Sequence, residues 1–180
     1  MKAKIAKAAL YGISAGIIIS SAAIIGISAK TCADGYFFKQ WVEKSQKENP
    51  ARISRDYLEL RSGGHVPMFE STKAKRSEAL FTWGTGSCCV LGLDSKTEGT
   101  HYLGHFSAAD EWKEIRDSIT KNFTNTRNLE AFFISGEISD SRAAMNVYKA
   151  LRSLNLLEKT KYCQSDKILI EEGKLYYPVY

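Results

Sequence analysis

Cys88 and, 17 positions later, His105 have the residue types and the spacing for nucleophilic chemistry. A thiolate attacks carbonyl carbon readily, and a neighbouring imidazole moves the proton that the thiol gives up. The segment Asp94–Gly99 reads as the turn of a hairpin with strands Cys88–Leu93 and His101–Phe106. With the turn centred there, Cys88 pairs with His105, Val90 with Leu103 and Gly92 with His101, and the Cβ atoms of Cys88 and His105 stand about 5 Å apart. His101 shares that face but sits four residues along the strand from His105, about 13 Å away. Cys89 faces the opposite side, paired with Gly104. Just upstream, Gly84-Thr85-Gly86-Ser87 brings backbone N–H groups of small residues close to the thiol, which suits a developing oxyanion. The same run also reads as a plain bend between two strands.

Other chemistries are poorly supplied. Four cysteines and three histidines include no CxxC and no Cys/His grouping with zinc spacing, so no metal and no cofactor are expected. His65, after the Ser62-Gly63-Gly64 break, reads as a surface residue rather than a catalytic one. All four cysteines are expected to stay thiols, the alternative being a pairing of Cys32 or Cys89 with Cys163. Lys and Arg outnumber Asp and Glu by 25 to 20, and Lys2, Lys4 and Lys7 supply most of that surplus. The cluster Lys73, Lys75, Arg76 is too small for a nucleic-acid face, so no nucleic-acid partner is expected. A hydrophobic content of 44 % excludes a disordered chain.

The elements that must hold this hairpin are legible in outline. Ala79–Trp83 reads as a strand leading into the glycine run. Ser107 reads as the cap of a helix, with Asp110 as the other half of a capping box and Trp112, Ile115, Ile119 and Phe123 as its buried stripe. Leu129–Ser135 reads as a buried strand. Ser139 or Asp140 opens a second helix, on which Ala143, Val147, Ala150, Leu151 and Leu154 recur at helical spacing. Ile168–Ile170 and Leu175–Tyr177 form a last hairpin around Glu172-Gly173. This succession predicts an α/β fold, a mixed β-sheet sandwich with flanking helices.

The N-terminal part has a different character. Ala8 to Ala29 is a run of 22 uncharged residues, about 33 Å long as a helix and enough to span a bilayer core. Residues 1–30 are therefore expected to form one N-terminal transmembrane helix, a membrane anchor through residues 8–29. The lysines before it favour a cytoplasmic N-terminus and an extracytoplasmic domain. A cleaved secretory signal, releasing a secreted protein, is the alternative. Residues 31–77 read as a tether and outer layer. They carry a helical stripe of Tyr36, Phe37, Trp41 and Val42, then a short helix over Arg52–Arg61. Residues 78–180 form the expected catalytic domain, and the oligomeric state is not legible.

The segment Thr82-Trp83-Gly84-Thr85-Gly86-Ser87-Cys88, followed by His105-Phe106, resembles the T-x-G-x-G-S-C signature and histidine spacing of the chemotaxis receptor glutamine deamidases. The same Cys-to-His spacing occurs in the eukaryotic protein N-terminal asparagine amidohydrolases. Their Gly-x-x-Ser-Asp-x-Arg stretch is similar to Gly136, Ser139, Asp140 and Arg142. Toxin deamidases of the cytotoxic necrotizing factor type are more distantly similar. The resemblance covers about residues 78–157. It implies Cys88 as nucleophile, His105 as base and Thr82 as a third catalytic member that orients the imidazole.

The expected function is a cysteine-dependent amidohydrolase that deamidates Gln or Asn carboxamides of a protein or peptide substrate, without a cofactor. In that reading His105 lowers the thiol pKa, and the loop at Gly86 and Ser87 supplies oxyanion donors. Glu137 is the candidate to bind a free α-amine if the substrate residue is N-terminal. The altered stretch Phe106-Ser107-Ala108-Ala109 motivates an alternative, an inactive membrane-tethered binding module on the same scaffold. A cysteine peptidase is a third reading, because the same thioester chemistry cleaves peptide bonds.

Overall fold

A computed structural model describes residues 33–48, 64–136 and 141–176. The chain divides into two compact units between Gln40 and Trp41, and the second unit carries both sheets and the candidate site. Its strands are β1 (Gly64–His65), β2 (Ser71–Lys75), β3 (Leu80–Trp83), β4 (Cys89–Ser95), β5 (Thr100–Phe106), β6 (Glu130–Ser135), β7 (Thr160–Gln164), β8 (Lys167–Glu171) and β9 (Lys174–Tyr176). Helix α1 covers residues 33–48, α2 Trp112–Asn122 and α3 Arg142–Ser153.

A five-stranded sheet runs β2-β5-β4-β6-β7, and a four-stranded sheet runs β1-β3-β8-β9. Their facing sides alternate apolar residues, as strand periodicity demands. Val90, Leu103, Phe132, Ile134 and Cys163 from the larger sheet meet Leu80, Ile168, Ile170 and Leu175 from the smaller. The other face of the larger sheet receives helices. The Tyr102 hydroxyl lies 3.2 Å from Ser118 Oγ on α2. Trp41 on α1 packs its ring 5.0 Å from that of Phe133 and 5.5 Å from that of Tyr148 on α3. Strand β7 lies parallel to β6, with α3 as the crossover between them.

The strands form the two sheets of a mixed α/β sandwich, and the bend at residues 84–88 carries the chain from the smaller sheet into the larger. One feature of the expected fold is corrected, its N-terminal transmembrane helix. The expected N-terminal transmembrane helix is not part of the described fold. No helix among the described residues is long and apolar enough to cross a membrane. Helix α1 spans about 24 Å and carries Lys39, Glu43, Lys44, Lys47 and Glu48. The segment 8–29 and the short helix placed over 52–61 lie outside the described residues. Residues 64–75, assigned in the sequence reading to the tether and outer layer, supply β1 and β2.

The hairpin register also differs from the expected one. Val90, not Cys88, pairs with His105, and Leu93 pairs with Tyr102. Strand β4 runs two residues further than expected, because Asp94 is fully buried and bonded through Oδ1 to Arg76 Nε at 2.8 Å. A shift of two preserves the face of every side chain. Cys88, Val90 and His105 thus remain on the side that looks toward the smaller sheet.

Candidate active site

His105 projects from β5 into the space between the sheets and is 1 % exposed. Thr82, on the inner face of β3, meets it from the opposite sheet, with Oγ1 2.8 Å from His105 Nδ1. Among the described residues the other ring nitrogen, Nε2, is buried without a hydrogen-bond partner. Burial is the main influence pulling the His105 pKa below the usual histidine value, with repulsion from His65 adding to it and Asp110 opposing it. The ring is therefore neutral at neutral pH, and Nε2 is a base when Thr82 accepts from Nδ1–H.

Cys88 stands immediately before β4, on the face of Val90 and diagonally adjacent to His105. Diagonal neighbours lie about 7–8 Å apart at the backbone, within reach of side chains as long as an imidazole. Burial first, and Asp110 second, push the Cys88 thiol above its ordinary pKa. This corrects the expectation that His105 depresses it: the resting pair is thiol and neutral imidazole, not thiolate and imidazolium. Cys89 on the opposite face is pushed up strongly by burial, and Cys163 to about 12. Cys88, Cys89 and Cys163 are free. Cys89 and Cys163 point to opposite faces of their sheet, so they form no pair. Cys32 lies outside the described residues.

The bend before Cys88 is held from several sides. Gly84 and Gly86 have φ of 72° and 38°, a left-handed region that a side chain strains. Gly84 N–H donates to Asp166 O at 2.9 Å. The buried Thr85 hydroxyl donates to Ser165 O at 2.7 Å. Gly136 lies so close that a Cβ there would overlap the Gly86 backbone. The Cys88 N–H is bonded to Thr85 O, while Gly136 N–H donates to Cys88 O at 3.4 Å. Cys88's own amide is thus occupied within the turn. Among the described residues, the N–H groups of Gly86 and Ser87 have no backbone partner, and Ser87 is exposed.

Three further residues belong to this neighbourhood that the sequence reading did not select. Met68 Sδ lies 3.5 Å from Cys88 Sγ. Asp110, read as part of a helix cap, instead closes a turn: its Oδ2 accepts from Ser107 N at 2.7 Å and Ser107 Oγ at 3.0 Å. Helix α2 therefore begins later, with Glu114 accepting from Glu111 N at 3.2 Å, and Asp110 stays near enough to act on both Cys88 and His105. His65 stacks on Trp83, with centroids 4.2 Å apart, on the face of β3 that points away from Thr82. No local sequence signal singles out Met68, which the fold brings to the thiol from 20 residues away. Glu137 lies outside the described residues. Among the described residues, no cluster of three or more His, Cys, Asp or Glu side chains has the arrangement to hold a metal ion. No protein-family model matches the chain, and no curated protein matches it.

Proposed function

We propose that the protein is a cysteine-dependent amidohydrolase that deamidates Gln or Asn carboxamides presented by a protein or peptide. The observation that carries this reading is the Thr82–His105 hydrogen bond across the two sheets. It holds Nδ1 and leaves a neutral, unpartnered Nε2 buried between the sheets. The resemblance of Thr82–Cys88 and His105 to the receptor glutamine deamidases adds to it.

In the first step Nε2 takes the thiol proton as sulfur bonds to the carboxamide carbon, and the carbonyl electron pair moves onto oxygen. The N–H groups of Gly86 and Ser87 are the donors available to that oxyanion. Collapse breaks the C–N bond, and ammonia leaves with the proton from His105. Water then adds to the thioester and gives a proton to His105, which returns it to sulfur as the acid departs. Thr82 fixes the ring through both proton transfers.

The test is a search for Gln-to-Glu and Asn-to-Asp conversions, each a mass gain of about 1 Da, in cells carrying the wild-type chain or Cys88→Ala. Conversions that need Cys88, with ammonia released and no new peptide termini, are the expected result. Identical conversions with both chains defeat the proposal, and new termini move it to the cysteine peptidase reading. The raised thiol pKa is the observation that favours the inactive binding module, for which neither change is seen.

A further inference from the structure

The thiol does not face open solvent. Cys88 is 7 % exposed although it sits at the end of a strand, and Met68 is 46 % exposed with its sulfur on the thiol. The backbone under Met68 is anchored on both sides. Val66, fully buried, donates to Phe81 O at 2.8 Å, and Glu70 N–H closes a turn onto Pro67 O at 3.2 Å. Phe69 N–H donates to His105 O and His105 N–H donates to Glu70 O, each at 2.9 Å. Phe69 itself takes φ of 69°, a left-handed conformation that a bulky residue adopts only under constraint. The backbone is thus pinned to the strand of the candidate base, and the unbranched Met68 side chain is the part free to turn.

We propose that Met68 is the residue that determines access to Cys88: its thioether covers the sulfur, and a substrate reaches the thiol only when that side chain swings aside. Taken with the proposed amidohydrolase activity, on which this part rests, the gap left by the swung side chain fits a flat, unbranched carboxamide at the end of a Gln or Asn side chain. A main-chain amide is flanked by Cα branches on both sides and is disfavoured. Side-chain volume at position 68 then sets which amides are attacked.

The test reads thiol access directly, in the full chain, with iodoacetamide and peptide mass spectrometry at Cys88. Sulfur bonds to the methylene carbon, iodide leaves, and the thiol proton passes to His105 or solvent. If the covered rotamer outweighs the open one by ten to one, Met68→Ala labels about 10-fold faster than wild type. Met68→Leu, of similar volume, stays within about twofold, and so does Phe69→Ala, which alters the next residue of the same turn. Equal rates for wild type and Met68→Ala overturn the proposal. An equal rise in Met68→Leu or Phe69→Ala also overturns it, because the cover would then be the turn rather than this side chain. His105→Ala, labelled alongside, tests the amidohydrolase reading separately. Unslowed labelling at pH 7 counts against His105 as the proton acceptor and leaves the Met68 comparison intact.

Discussion

Thr82 and His105 show what one side chain contributes when its partner lies on another sheet. The Thr82 hydroxyl satisfies Nδ1, so Thr82→Val leaves a buried ring nitrogen without a partner, costing about 1–3 kcal/mol of stability. The same change frees the imidazole to rotate or switch tautomer, so under the proposed amidohydrolase activity ammonia release should fall by about 10- to 100-fold, whereas Thr82→Ser keeps most of it. A second prediction concerns pH. His105 is buried neutral, with its folded pKa below the unfolded value. Its contribution is complete above the ordinary histidine pKa of about 6.5. As pH falls below that value the unfolded chain binds the proton first, so stability declines until the folded pKa is passed. Urea unfolding midpoints between pH 8 and pH 5 should drop for wild type and drop less for His105→Gln.

At the level of elements, the bend between β3 and β4 depends on a contact between two glycines distant in sequence. Gly136→Ala places a methyl group into the Gly86 backbone, so the bend or the end of β6 must shift. We expect a loss of about 1–3 kcal/mol from overpacking and a changed Cys88 alkylation rate, read by thermal unfolding and by mass spectrometry. Gly86→Ala acts through φ alone, since no atom lies within 4 Å of a Cβ there. It should cost about 1–2 kcal/mol. Elements with strong periodicity were legible. The stripes Ile115–Ile119 and Val147–Leu151 mark α2 and α3, and Glu172-Gly173, both with positive φ, marks the β8–β9 turn. Strand β2, Ser-Thr-Lys-Ala-Lys, was not legible. It is an edge strand whose residues are mostly exposed, so it lacks the apolar alternation that reveals a strand.

Across the whole molecule, Arg76 joins the two sheets at the end away from the thiol. It binds the buried Asp94 of β4 at 2.8 Å and donates through Nη2 to Glu172 O in the β8–β9 turn at 2.7 Å. Arg76→Leu strands a carboxylate inside the protein. The expected cost is about 3 kcal/mol, seen as a lower urea midpoint at unchanged slope. Arg76→Lys recovers part of it, because a lysine supplies the charge but not the two-directional fork. The Asp94 of this ion pair lies within β4, paired with His101, where the sequence placed it in the hairpin turn.

The sequence alone determined what depends on neighbours in the chain. The small-residue run before Cys88, the hairpin that brings His105 back beside it and the helical stripes all rest on local conformational preference and on periods of 2 and 3.6. It also determined which face each residue of the hairpin takes, since a register error of two leaves that face unchanged. Only the tertiary structure decided the pairing itself, because Asp94 looks like a turn residue until Arg76 neutralises it. Only the tertiary structure assigned each strand to one of the two sheets and brought Thr82 within hydrogen-bond distance of His105 across the gap. The same holds for Met68, laid on the thiol, and for Cys88, whose pKa burial and Asp110 raise where the local sequence suggested a lowering. These are all meetings of distant segments, decided by packing and by the cost of burying charge, and no local pattern encodes them.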